Sequence, residues 1–187
     1  TSLVTIGSTT NVVTIPTSVT TIGGSVFQGC DAMTSVLIPQ SVTSIGANAF
    51  FSCDALATVT FDGTSTVATI DDEAFRDCIA LTSITIPSSV TSLGSNVFDG
   101  CTNLAIVYVP FALATSLGIT AGTNQTVSGK TGLTVYYTEN NIVITDINDN
   151  VTQIQTDDIT NLTSSVYTNE GIAVGDIKSV VINGTFI

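Results

Sequence analysis

Apolar positions along the first two-thirds of the chain fall into one pattern that recurs. Val19, Ile22, Phe27 and Cys30 are followed by Val42, Ile45, Phe50 and Cys53, then by Val67, Ile70, Phe75 and Cys78, then by Val90, Leu93, Phe98 and Cys101. The cysteines lie 23, 25 and 23 residues apart and the phenylalanines keep the same spacing. A fixed period in the twenties is the signature of a solenoid, in which each coil buries its apolar face against its neighbours. Beyond each cysteine, Met33, Leu56, Leu81 and Leu104 recur, then Val36, Val59, Ile84 and Val107, then Ile38, Phe61, Ile86 and Val109. The last two sets stand two residues apart, as the inward side chains of a strand do.

Proline gives the corners. Pro16, Pro39, Pro87 and Pro110 are the only prolines, and each follows one of these strands. Proline cannot donate to a ladder, so it stops the strand where the coil turns. The third coil has Asp62-Gly63 there instead, with two extra residues, which predicts a bulged corner.

The unit Ile-Pro-x-x-Val-Thr-x-Ile-Gly-x-x-Ala-Phe-x-x-Cys-x-x-Leu-x-x-Val-x-Ile resembles the BspA-like leucine-rich repeats. Ala49-Phe50, Ala74-Phe75 and the four cysteines carry the match over about residues 2 to 118. The resemblance implies a mainly β, right-handed leucine-rich-repeat solenoid with a parallel sheet on one side and short turns or helices opposite. It also implies a non-enzymatic protein, surface-exposed or extracellular, that binds other proteins or host surfaces.

The rest of the chain is organised around that array. Residues 1–15 read as a partial N-terminal repeat, because Leu3 to Gly7 matches the Val-Thr-x-Ile-Gly segment and Asn11 to Ile15 the strand. Tyr108 to Phe111, followed by Ala112 to Leu117, resembles a closing strand and helical cap. The solenoid is therefore expected over 1–118, with a Gly/Thr/Ser-rich linker over 119–132. Residues 133–187 are expected to form a small β-rich C-terminal domain, with degenerate repeats as the alternative. Leu133 to Tyr137 and Asn141 to Thr145 read as strands, while Val151 to Ile154 and Ile177 to Ile182 echo the repeat.

Charge narrows the partners. Three Lys and Arg stand against 15 Asp and Glu, giving a net charge of -12, without histidine or tryptophan. Arg76 is the only basic residue among the coils. Nucleic-acid affinity rests on cations that neutralise phosphates, so DNA and RNA are excluded as partners, and anionic membranes would repel the chain. No apolar run is long enough to insert as a transmembrane helix. The chain begins at Thr1 without an initiating Met, which fits a removed leader or a fragment.

Candidate chemistry is sparse. The cysteines share one inward column, which favours free structural thiols over disulfides, although neighbouring coils are close enough for a bridge. Asp71, Asp72, Glu73 and Asp77 are the densest acidic cluster and suit free N–H groups at a turn. Asp146, Asn148, Asn150 and Asp157 have the spacing of a calcium loop. Val151 stands where that loop needs glycine, and an Asx-rich turn between strands explains the same residues. Calcium is the one cofactor this pattern admits. Four sequons, at Asn124, Asn150, Asn161 and Asn183, are no more than the composition produces by chance.

The outward sheet positions are the expected working face: Leu37, Thr58, Thr60, Thr85, Ile106 and Tyr108, among other small hydroxyl residues. They suit an adhesion module that holds a protein or glycan on another surface. A structural subunit of an extracellular filament or virion surface, assembling with copies of itself through its C-terminal strands, is the alternative. Ice binding by the threonine array is a third.

Overall fold

The computed structural model describes residues 5–6, 11–138, 141–146, 151–155 and 177–183, with side chains for 11–138. The elements, in chain order, are β1 (Thr5–Ile6), β2 (Val12–Thr14), β3 (Thr21–Ile22), β4 (Ser35–Ile38), β5 (Ser44–Ile45), β6 (Thr58–Phe61), β7 (Thr69–Ile70) and β8 (Ser83–Thr85). There follow β9 (Ser92–Leu93), β10 (Ile106–Val109), the helix α1 (Phe111–Leu117), β11 (Gly122–Val127), β12 (Lys130–Tyr137), β13 (Asn141–Asp146), β14 (Val151–Gln155) and β15 (Ile177–Asn183).

The repeat folds as a solenoid of about four turns. Each coil contributes one strand to a main parallel sheet and one two-residue strand to a second parallel ladder, ordered β3-β5-β7-β9. The main sheet runs β1-β2-β4-β6 and then β8-β10-β12-β11, with no strand bridge between β6 and β8. Val-x-Ile alternation puts Val36 and Ile38, Ile84 and Ile86, and Val107 and Val109 inside, where each is at most 2% exposed. Phe27, Phe50, Phe75 and Phe98 stack in one column, with centroids 5.1, 5.1 and 6.2 Å apart and rings within 14° of parallel.

The turns between Gly and Cys use the left-handed backbone region twice per coil. Ser25, Asn48, Glu73 and Asn96 form one such column, and Gly29, Ser52, Asp77 and Gly100 the other. These turns point their N–H groups toward the following coil: Phe27, Phe50 and Phe75 donate to the carbonyls of Ala49, Ala74 and Val97. Just past the short strands of the second ladder the direction reverses, with Gly46, Asp71 and Gly94 donating back to Ile22, Ile45 and Ile70. Pro16, Pro39 and Pro87 each accept the N–H of the valine three residues on, closing the corner at 3.0 Å.

Three segments depart from the sequence reading. The Leu3–Gly7 motif was expected to behave as a repeat segment, yet Thr5–Ile6 pairs antiparallel with β2 on the main sheet. The stretch expected as a linker, 119–132, is folded: β11 and β12 form an antiparallel hairpin, and β12 joins β10 in parallel register. Thr134 to Tyr137 thus continues the main sheet rather than opening a separate C-terminal domain. That pairing satisfies the outer edge of β10, which would otherwise leave its backbone groups unpaired. The hairpin tip also closes the turn column, because Phe98 N–H donates to the Ser128 carbonyl and Val97 N–H to the Ser128 hydroxyl at 2.9 Å. The expected cap is a helix, α1, that ends on Gly118 in the left-handed region at φ 67°.

Farther on, β13 pairs antiparallel with both β14 and β15. The two segments that echo the repeat, Val151–Ile154 and Ile177–Ile182, are therefore the outer strands of an antiparallel sheet, unlike the parallel strands of the coils.

Candidate interaction surface

Strand pairing assembles the outward residues into two rows. One runs Thr14, Leu37, Thr60 and resumes as Thr85, Tyr108, Tyr136. The other runs Val12, Ser35, Thr58 and resumes as Ser83, Ile106, Thr134. All six residues expected on the working face, Leu37, Thr58, Thr60, Thr85, Ile106 and Tyr108, are brought together there. Leu37 is 44% exposed, Tyr108 37% and Val12 37%. The other exposed large apolar residues among those described, Val26, Ile79, Phe111 and Leu117, lie off these rows.

Sequence reasoning missed Tyr136, Thr134 and Val12. Tyr136 stacks on Tyr108 with centroids 5.4 Å apart and extends the aromatic end of the face by one strand. The signal was present, since Thr134-Val-Tyr-Tyr137 repeats the pattern of Ile106-Val-Tyr-Val109. Below that end, Phe111 meets Tyr137 edge-on at 5.1 Å, and the Tyr137 hydroxyl accepts from Ala121 N–H, anchoring the hairpin to the helix.

No charged residue occupies either row. The acids of the coils lie on the turns and corners instead. Arg76 holds three of them: its guanidinium lies 3.3 Å from Glu73, 3.6 Å from Asp77 and 3.4 Å from Asp99, and 5.8 Å from the Phe51 ring centre. Asp72 accepts the Ser95 N–H at 2.7 Å. The acidic cluster thereby ties adjacent coils together. Among the described residues, no three His, Cys, Asp or Glu side chains are grouped to hold a metal ion. Of the calcium pattern, Asp146 ends β13, while Asn148, Asn150 and Asp157 lie outside the described residues.

The four cysteines are free. Cys53, Cys78 and Cys101 each donate their thiol to the phenylalanine carbonyl of the preceding coil, Phe27, Phe50 and Phe75, at 3.0 to 3.2 Å. Burial pushes Cys53 up to about 12 and Cys101 up to about 11, and raises Cys78 as well. A thiolate is the nucleophile, so thiols held protonated in this way are inert structural donors. Cys30, half-buried in the first coil, is raised by burial and then by the Asp31 charge.

Among the described residues no helix is long and apolar enough to cross a membrane. The family model for the BspA type leucine rich repeat region matches residues 6–121 in six copies. A leucine rich cell surface protein from Faecalibacterium prausnitzii is 31% identical, with a TM-score of 0.56, over 68% of this chain and 32% of that one. The chain thus spans about a third of that protein's length. A leucine-rich repeat protein from Bacteroides capillosus is 34% identical over 54% of this chain and 78% of its own, with a TM-score of 0.49. The pneumococcal vaccine antigen PcpA is 28% identical over 55% and 31%, with a TM-score of 0.48. No curated protein matches.

Proposed function

The chain belongs to the BspA-type leucine-rich-repeat family, and from that premise we propose that it is a non-enzymatic, surface-exposed binding module whose partner docks across the two outward rows of the main sheet. The observation that carries this reading is the distribution of charge. A chain of net charge -12 keeps both rows free of carboxylates while leaving Leu37, Ile106, Tyr108 and Tyr136 on them. Interface cores are depleted in charge and enriched in tyrosine, which offers a large rigid contact at low entropy cost. The similarity to a cell surface protein supports the location. The partner is a protein or glycan of another surface, and attachment to that surface is the adhesive role of the module.

The test is binding of the fluorescently labelled chain to cultured epithelial cells. Leu37→Ser, Ile106→Ser and Tyr108→Ala change no charge. Together they are expected to lower binding at least tenfold, about 1.4 kcal/mol or more, while the melting temperature holds. Undiminished binding by the triple variant would overturn the proposal.

A further inference from the structure

The third coil breaks the pattern at one place, and four observations meet there. Its corner lacks proline, and the closing bond runs from Ser65 N–H to the Asp62 carbonyl, with two more residues before Val67. The inward column Ile15, Ile38, Phe61, Ile86, Val109 is at most 4% exposed at its four aliphatic members, whereas Phe61 is only half-buried. The main sheet is unbridged between β6 and β8 at this same level. A groove of about 500 Å³ opens there, lined in part by Thr60, Phe61, Asp62, Thr64, Thr85 and Ser88.

We propose that this groove is a binding site for a neutral saccharide, distinct from the tyrosine end of the sheet face. The groove shares Thr60 and Thr85 with one outward row, but the inference does not require that a partner docks there. Its volume lies within the range of small-ligand sites, about 300–1,000 Å³. The partly open Phe61 side chain offers an apolar wall for the C–H face of a pyranose ring. Asp62 is an exposed carboxylate that accepts only, so it suits a donor hydroxyl pair. The hydroxyls of Thr60, Thr64, Thr85 and Ser88 are exposed and have no partner among the described residues. The hydroxyl just before each corner valine is spent instead: Ser41, Thr66 and Ser89 donate to carbonyls of the preceding coil, among them Val19, Val42 and Val67. Hydroxyls that both donate and accept match a polyol. With no Lys or Arg in the lining, an acidic sugar would meet Asp62 without a counter-charge.

The experiment is an amide NMR titration of the full chain with lactose, maltose, cellobiose, chitobiose and 3′-sialyllactose. At least one neutral disaccharide is expected to shift amides of residues 60–65, 85, 86 and 88 saturably, with millimolar affinity. Asp62→Asn, a surface change, and Phe61→Leu, which keeps the core filled, should each weaken that binding tenfold or more. The Leu37, Ile106 and Tyr108 variants should leave it unchanged, which separates this site from the sheet-face reading. Absence of saturable shifts with every neutral sugar would overturn the proposal. So would equal binding of the sialylated one, or shifts confined to Tyr108 and Tyr136.

Discussion

Removing one ring from the phenylalanine column should cost more in the middle than at the end. Phe50 is fully buried and lies 5.1 Å from both Phe27 and Phe75, while Phe27 is 6% exposed and has one stacked neighbour. A buried Phe→Ala change costs about 3–5 kcal/mol, depending on how well the site collapses. Each aromatic pair adds about 0.5–1.5 kcal/mol beyond the area it buries. Phe50→Ala leaves a cavity walled on both sides by rigid rings, which cannot collapse into it. It therefore belongs at the upper end, about 5 kcal/mol, and Phe27→Ala at the lower, about 3. Stability in a stacked array is close to a sum of coil and interface terms, so losing two interfaces should exceed losing one. Urea denaturation followed by far-ultraviolet circular dichroism measures both. Because about 5 kcal/mol can consume the whole margin of a small domain, Phe50→Leu provides a milder second reading with the same expected order against Phe27→Leu. Equal losses at the two positions, or a larger loss at Phe27, would refute the continuous column.

Two further predictions concern thiols and glycines. Folded-state acidities of Cys53 and Cys101 lie at about 12 and about 11, above the ordinary 9.0, so the folded protein holds these protons more tightly. Their contribution is complete below pH 9 and is lost as pH rises toward 11 to 12, at about 1.4 kcal/mol per pH unit for each thiol. Urea midpoints should therefore fall between pH 9 and 11 in the native sequence and less so in Cys53→Ala; coincident pH profiles would contradict this. At Gly94 an added Cβ would strike the backbone of Asp71 and Asp72, whereas at Gly63 it would meet nothing. Gly94→Ala should lower stability by about 1–3 kcal/mol and Gly63→Ala should leave it nearly unchanged, as thermal melts will show; matching melts would count against so close an approach of coils.

What could be read from the sequence was whatever the period repeats. The phenylalanine column, the inward valines and isoleucines, the proline corners and the row from Leu37 to Tyr108 all sit at fixed offsets, and packing enforces those offsets in every coil. Features that occur once left no such trace. The hairpin that carries Tyr136 has a Gly/Thr/Ser composition resembling a linker, and only its parallel pairing with β10 makes it part of the sheet. The reversed course of Thr5–Ile6 escaped for the same reason: its letters match a repeat, but its partner is the first full strand. The cysteines were placed correctly as an inward column. The bond of Cys53, Cys78 and Cys101 to the preceding phenylalanine carbonyl depends on coil stacking that no single unit contains.

The opposed directions of the inter-coil bonds give the two ends of the array different chemistry. At the hairpin end the turns offer donors, and Ser128 answers them with a carbonyl and a hydroxyl. The opposite end of that same column offers acceptors. A plug built for one terminus is thus useless at the other, but every internal coil presents the same pair of faces. Genetic duplication or excision of whole units between Pro16 and Pro110 would leave both closures untouched, so such a protein can change its reach without having to reinvent its stoppers.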